Sequence, residues 1–174
     1  MGNKDKKEGD PFFEVDNDNG TIRRKIDNSR VLAMNSLGWA KLEQELRSTF
    51  DTGSGVILQR MGYSYGRHLG KIAKLRGFSP EKVVDALLQF SRGEGWGKLS
   101  LNSGDLSVGG ARLVIRGCYF CLHLKESTSA VCHMLVGLVG GISDEITGNT
   151  HRVLEERCSA KGDPICEIII ERLT

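Results

Sequence analysis

The chain has 174 residues, 39% of them hydrophobic and 26% charged, which suits one globular domain and excludes a disordered or collagen-like composition. A net charge of +2 is too small to argue for nucleic acid, and the longest apolar run, Met134 to Ile142, falls far short of the ~20 residues that span a bilayer. Five cysteines behind a polar opening without a secretion signal point to a reducing cytoplasm, with thiols free or metal-bound.

Residues 1 to about 20 are polar and predict a flexible tail, leaving 21–174 as one domain. A first helix is predicted from Asn35 or Ser36, with Trp39, Leu42, Leu46 and Phe50 inward and Gly53 at its end. A second follows over Gly55 to Arg76. It carries an apolar stripe of Leu58, Met61, Tyr65, Leu69 and Ile72, and beside it Gly62, Gly66 and Gly70 at intervals of four. Glycine costs a helix ~1 kcal/mol relative to alanine, so three in successive turns imply close backbone approach, to a neighbouring helix or to a second copy in a homodimer. On the same helix Arg60, Arg67, Lys71 and Lys74 form a basic face, read as a solvated surface or a site for an anion or partner.

Ser79, Pro80 and Glu81 open a third helix, with Val83, Val84, Leu87 and Phe90 inward and Gly93 and Gly95 at its close. Trp96 to Leu101 and Ala111 to Phe120 then read as strands joined through Gly104, Gly109 and Gly110. A helix from Ser127 or Ser129 runs through Cys132 to Ile146 and stops at Gly148. A terminal hairpin, Thr150 to Cys158 and Ile165 to Glu171, turns over 160–164. This order predicts an α+β fold with helices on one face of an antiparallel sheet.

Cys158 and Cys166 flank the hairpin turn, and Cys132 lies near a helix N-terminus, where a thiolate is favoured. Glu155 adds an oxygen, and three sulfurs with one carboxylate suit a closed zinc site. In an ideal strand Glu155 and Cys158 face opposite sides, so either a bulge re-aims Glu155 or Glu156 replaces it. Cys118 and Cys121 form a C-x2-C whose thiols, in a strand, would point apart; they read as buried thiols without a chemical role. His123 and His133 read as structural histidines.

The run Cys132, Gly137, Gly141, Gly148, Glu155, Cys158, Ala160, Gly162, Asp163 and Cys166 resembles the 4-vinyl-reductase-type domain. That family is similar to the sensory domain of phenol- and xylene-responsive activators and to TRAPP-type subunits. The resemblance implies zinc at Cys132, Glu155, Cys158 and Cys166, within the part spanning 132–166, in a ligand-binding fold of the TRAPP and NO-signalling type that is commonly dimeric. The implied function is a non-enzymatic cytoplasmic module for a small hydrophobic molecule, acting as sensor, carrier or accessory factor and signalling through another chain. A TRAPP-like scaffold and a reductase accessory to tetrapyrrole metabolism are the alternatives. Met61, Tyr65, Phe90, Trp96, Phe120 and Met134 are the candidate pocket residues, since aromatic and soft side chains suit an apolar cavity.

Overall fold

The computed structural model describes residues 12–25, 27–105 and 110–173. The chain divides into two compact units, residues 1–35 and 36–174. In the first, β1 (Phe13–Asp16), β2 (Thr21–Arg24) and β3 (Arg30–Val31) form a small antiparallel sheet in sequence order. The Asp16 carboxylate accepts bonds from the backbone N–H groups of Asp18 (3.0 Å) and Asn19 (3.1 Å), which fixes the turn between β1 and β2. The boundary expected at residue 20 therefore falls inside a sheet, whose four-residue strands are too short and too charged to stand out by periodicity. The rest of the expected tail, residues 1–11, lies outside the described residues, as do Gly109 and the side chain of Phe90.

The second unit runs α1 (Ser36–Phe50), α2 (Gly53–Leu75), α3 (Pro80–Gly93), β4 (Lys98–Asp105), β5 (Gly110–Arg116), α4 (His133–Thr147), β6 (His151–Arg157) and β7 (Cys166–Arg172). The four strands form an antiparallel sheet of order β4-β5-β7-β6. Helices thus accompany an antiparallel sheet, as their sequence order predicts. On α3, Val83, Val84 and Leu87 are buried as their spacing requires. On α1 the inward face is different: Leu42 and Phe50 are exposed, while Ala40 and Glu43 are buried. Glu43 is tolerated there because Arg47 pairs with it at 2.6 Å and the Trp39 indole N–H donates to it at 3.2 Å. Gly53 does not end α1 but begins α2.

The glycine stripe of α2 faces α4. A Cβ on Gly62 would meet the Met134 carbonyl oxygen at 2.0 Å, and one on Gly66 would meet that of Leu138 at 2.1 Å. From the other side, Gly137 and Gly141 would meet the carbonyls of Gln59 at 1.9 Å and Tyr63 at 2.1 Å. Residue numbers rise together along this contact, so the helices run parallel with their backbones touching. The stripe is filled from within the chain and supplies no dimer seam. α4 is buried almost all round, from Leu135 to Ser143, as expected of a helix apolar on every side. Its Leu135, Leu138, Val139 and Ile142 join Leu99, Leu113, Ile115, Ile168 and Ile170 of the sheet in one core.

Candidate metal centre

Four chain segments end at one edge of this core. β5 stops at Arg116, Gly117 takes a positive φ of 64°, and a 3-10 turn, Tyr119–Cys121, follows. β7 begins at Cys166, which pairs with Ile115 near that same end of β5. β6 runs out at Arg157 beside it, and α4 starts from Cys132, its N-cap residue. The hairpin between β6 and β7 closes through a second 3-10 turn, Ser159–Lys161, and Gly162 at φ 100°. The Asp163 carboxylate accepts the Cys158 backbone N–H at 2.8 Å and locks that turn.

One donor atom from each of Cys121, Cys132, Glu155, Cys158 and Cys166 lies within 4.8 Å of every other. The four thiols are buried and no two of them form a disulfide. The Cys121 sulfur stands 3.3 Å from that of Cys132, 3.6 Å from Cys158 and 3.4 Å from Cys166. Cys132 and Cys166 are 3.8 Å apart. All of the sequence-derived quartet, Cys132, Glu155, Cys158 and Cys166, therefore converges. The β6–β7 register shifts between Glu155 and Arg157, and this bulge turns Glu155 toward Cys158. Glu156 is excluded as its substitute, since it is exposed and pairs with Arg112 at 2.6 Å.

Cys121 is the residue sequence reasoning missed. The expected strand to Phe120 would have sent it away from the cluster; Gly117 ends the strand early and the turn brings it in. A glycine directly before the C-x2-C was the available signal. Cys118 lies 3.5 Å from Cys132 but outside the mutually close group.

The environment fits a cation. One oxygen of Glu155 accepts the Cys132 backbone N–H at 2.9 Å, while the other is buried with no hydrogen-bond partner. Such an atom is costly unless something positive meets it. Burial, then the neighbouring Cys158, pushes the Glu155 carboxyl up to about 8. Hydrogen bonds from Cys121 and then Cys132 pull the Cys158 thiol down to about 5. Those led by Cys118 also push Cys166 down, which favours thiolates that a metal can use. The Cys166 sulfur further accepts the Ser159 backbone N–H at 3.3 Å, an outer contact that orients a ligand.

The candidate pocket residues do not line one cavity. Phe120 is buried, with its ring edge-on to Trp39 at 5.8 Å, and Tyr65, Trp96 and Met134 are half-buried against the core. Met61 is 51% exposed, because the glycine stripe rather than the Met61 stripe faces inward. A groove of about 730 Å³ lies elsewhere, lined by Arg60, Tyr63, Arg67, Lys71, His151 and Val153 among others. Within the basic face Arg67 pairs with Glu145 at 2.7 Å and Lys74 approaches it at 3.9 Å. His123 bonds Ser36 at 2.9 Å, and burial pushes the His133 imidazole down.

Residues 111–172 match the family model of the vinyl-4-reductase-type (4VR) domain. The chain is similar over 92% of its length to the crystallised phenol-responsive sensory domain of the transcription activator PoxR with phenol, at 18% identity, 84% coverage of that chain and a TM-score of 0.80. It is similar to a trafficking protein particle complex subunit 3 from Naegleria fowleri covalently bound to palmitic acid (12% identity, 80% and 93% coverage, TM-score 0.58). A vinyl-4-reductase family protein of Methanocaldococcus jannaschii shares the fold at 18% identity, 86% and 87% coverage and a TM-score of 0.55. Among curated proteins, one from M. jannaschii is 28% identical over 118 residues, 68% of this chain and 57% of that protein. The chain thus spans little more than half of that relative's length. Fold class and the resemblance to vinyl-4-reductase-type, sensory-domain and TRAPP-type proteins are established by these likenesses.

Proposed function

We propose that the chain is a zinc-containing binding module of the sensor type, which takes up a small hydrophobic molecule and performs no chemistry of its own. The observation that carries this reading is the buried meeting of four thiols and an orphaned carboxylate oxygen where β5, α4, β6 and β7 end. Soft sulfur donors with one oxygen suit zinc better than calcium or magnesium. Once bound, the metal supplies a crosslink worth a large share of the folding energy. With at least four protein donors no position stays open for a substrate, which favours a structural over a hydrolytic role.

The ligand half of the proposal is supported by likeness of fold. The PoxR sensory domain was crystallised with phenol, and the TRAPP-type subunit carries palmitic acid. Here the apolar wall is assigned to Tyr65, Trp96, Phe120 and Met134, since Phe120 and Met134 flank the metal-anchored elements. A ligand wedged beside α4 pushes on a helix held at its N-terminus by Cys132, so displacement is passed on to a partner protein. A reducing cytoplasm suits five unbridged thiols.

The test is native mass spectrometry of gently purified protein, followed by thermal melting with aromatic alcohols, fatty acids and isoprenoids. The expected result is about one zinc per chain and stabilisation by one apolar class. A ligand at 100 times its dissociation constant adds ~2.7 kcal/mol, and Trp96→Ala or Met134→Ala should remove that shift. Protein that carries zinc but answers to no apolar class, and copurifies with another protein, would favour a scaffold.

A further inference from the structure

Five donors converge where a tetrahedral metal uses four. We propose that Cys121 supplies the fourth bond, making the working set Cys121, Cys132, Cys158 and Cys166, and that Glu155 stands in reserve and takes that position when Cys121 is removed. The inference rests on the metal reading above and concerns only which of this chain's donors the metal uses.

Distances favour the thiol. Four sulfurs about 2.3 Å from a tetrahedral zinc lie about 3.8 Å from one another. Cys121 is 3.3, 3.6 and 3.4 Å from Cys132, Cys158 and Cys166, and Cys132 is 3.8 Å from Cys166. Cys121 therefore caps the other three, and small outward shifts reach the required spacing. Cys118 does not compete, because it reaches Cys132 but not the rest of the group. Chemistry points the same way: a borderline-soft cation offered a thiolate and a carboxylate at one position prefers sulfur.

Glu155 has a different hold on the site. One of its oxygens is committed to the Cys132 backbone N–H at 2.9 Å, which orients a metal-binding residue from outside the first ring of ligands. Its second oxygen is buried, unpartnered and within 4.8 Å of the sulfurs, so it can enter with little movement once a thiol leaves. The fourth thiol also brings the exit of β5 under the metal. The turn it anchors carries Phe120, whose ring lies against Trp39 of α1. The metal then fastens four elements rather than three.

The zinc-loaded full chain should be examined by zinc X-ray absorption, which counts sulfur against oxygen neighbours, together with competition against a chromophoric chelator. Wild type, Cys118→Ser and Glu155→Gln should each show four sulfurs. Cys121→Ala should keep its zinc with three sulfurs and one oxygen. The double variant Cys121→Ala/Glu155→Gln should lose at least about tenfold more affinity than the two single losses combined, as expected where one donor covers for the other. Three sulfurs and one oxygen in wild type overturn the assignment, whether or not Cys121→Ala folds. Four sulfurs in wild type with complete zinc loss in folded Cys121→Ala overturn the reserve role of Glu155. Protein that binds no zinc at all overturns the metal reading itself, a different failure.

Discussion

Gly66 of α2 and Leu138 of α4 approach so closely that a Cβ on the glycine would stand 2.1 Å from the leucine carbonyl oxygen. Backbone cannot yield as a flexible side chain can, so any larger residue must force the two helices apart. Gly66→Ala should cost at least about 3 kcal/mol, the upper end of ordinary overpacking, and Gly66→Leu should abolish cooperative unfolding. Gly53→Ala is the control. Its added Cβ meets only the Phe50 Cβ at 3.9 Å, and it should change stability by no more than about 1 kcal/mol. Urea titration of the three variants distinguishes a contact inside the chain from a seam between copies, which would release a folded monomer instead.

Cys158→Ser and Cys166→Ser should each lower zinc content and melting temperature together. Both thiols are fully buried and both lie in the mutually close group. Structural zinc contributes ~10–16 kcal/mol in small peptides, against ~5–15 kcal/mol for a whole domain, so treatment with a strong chelator should loosen the β6–β7 hairpin. Cys118→Ser should leave metal content unchanged. Elemental analysis beside a melting curve decides each case, and loss of metal in Cys118→Ser would show that the donor set is drawn wrongly.

Much of this arrangement is legible in the sequence because local signals and global fold agree. Ser79-Pro80-Glu81 opens α3, Gly148 closes α4 at φ 72°, and the spacing from Cys132 to Cys166 places its donors correctly. What could not be read depends on contacts between distant segments. Glu43 is an acidic residue on the buried face of α1 only because Arg47 and Trp39 satisfy it. The apolar stripe through Met61 looks inward by periodicity, yet the glycines beside it permit a closer approach to α4 and so decide which face is buried. Cys121 was hidden because one positive-φ glycine converts a strand end into a turn.

The small N-terminal sheet should loosen in acid. Asp27 is held down to about 2: burial opposes its charge, but bonds from Arg24 and Ser29 outweigh that cost. A carboxyl whose folded value lies below its usual 3.8 lends stability that is present above pH ~4 and disappears as pH falls through the folded value. The contribution is at most about 2 kcal/mol. Amide exchange in β1 and β2 should therefore accelerate between pH 4 and 2, and Asp27→Asn should show that faster exchange already at pH 6. An Asp27→Asn protein whose exchange matches wild type at pH 6 would remove Asp27 from the account.

Asp144 should prove the costliest polar residue to remove outside the metal centre, because three elements depend on it. One of its oxygens accepts the His151 backbone N–H at 2.8 Å and faces the His151 Nδ1 at 2.9 Å, tying α4 to the start of β6. Its other oxygen accepts the Tyr63 hydroxyl at 2.8 Å, tying α4 to α2. The His151 side chain is only 1% exposed, so Asp144→Ala leaves a buried ring nitrogen and a backbone donor without their acceptor. Each orphaned buried group costs ~1–3 kcal/mol, giving a total loss of about 2–5 kcal/mol. Tyr63→Phe removes a hydroxyl from a partly exposed ring, whose carboxylate partner can turn to water, and should cost only about 1 kcal/mol. Once Asp144 is alanine, removing the Tyr63 hydroxyl should cost almost nothing further, since the bond is already gone. Urea unfolding of the two single variants and the double variant measures this directly. Additive losses would mean that Tyr63 is stabilised by something other than Asp144.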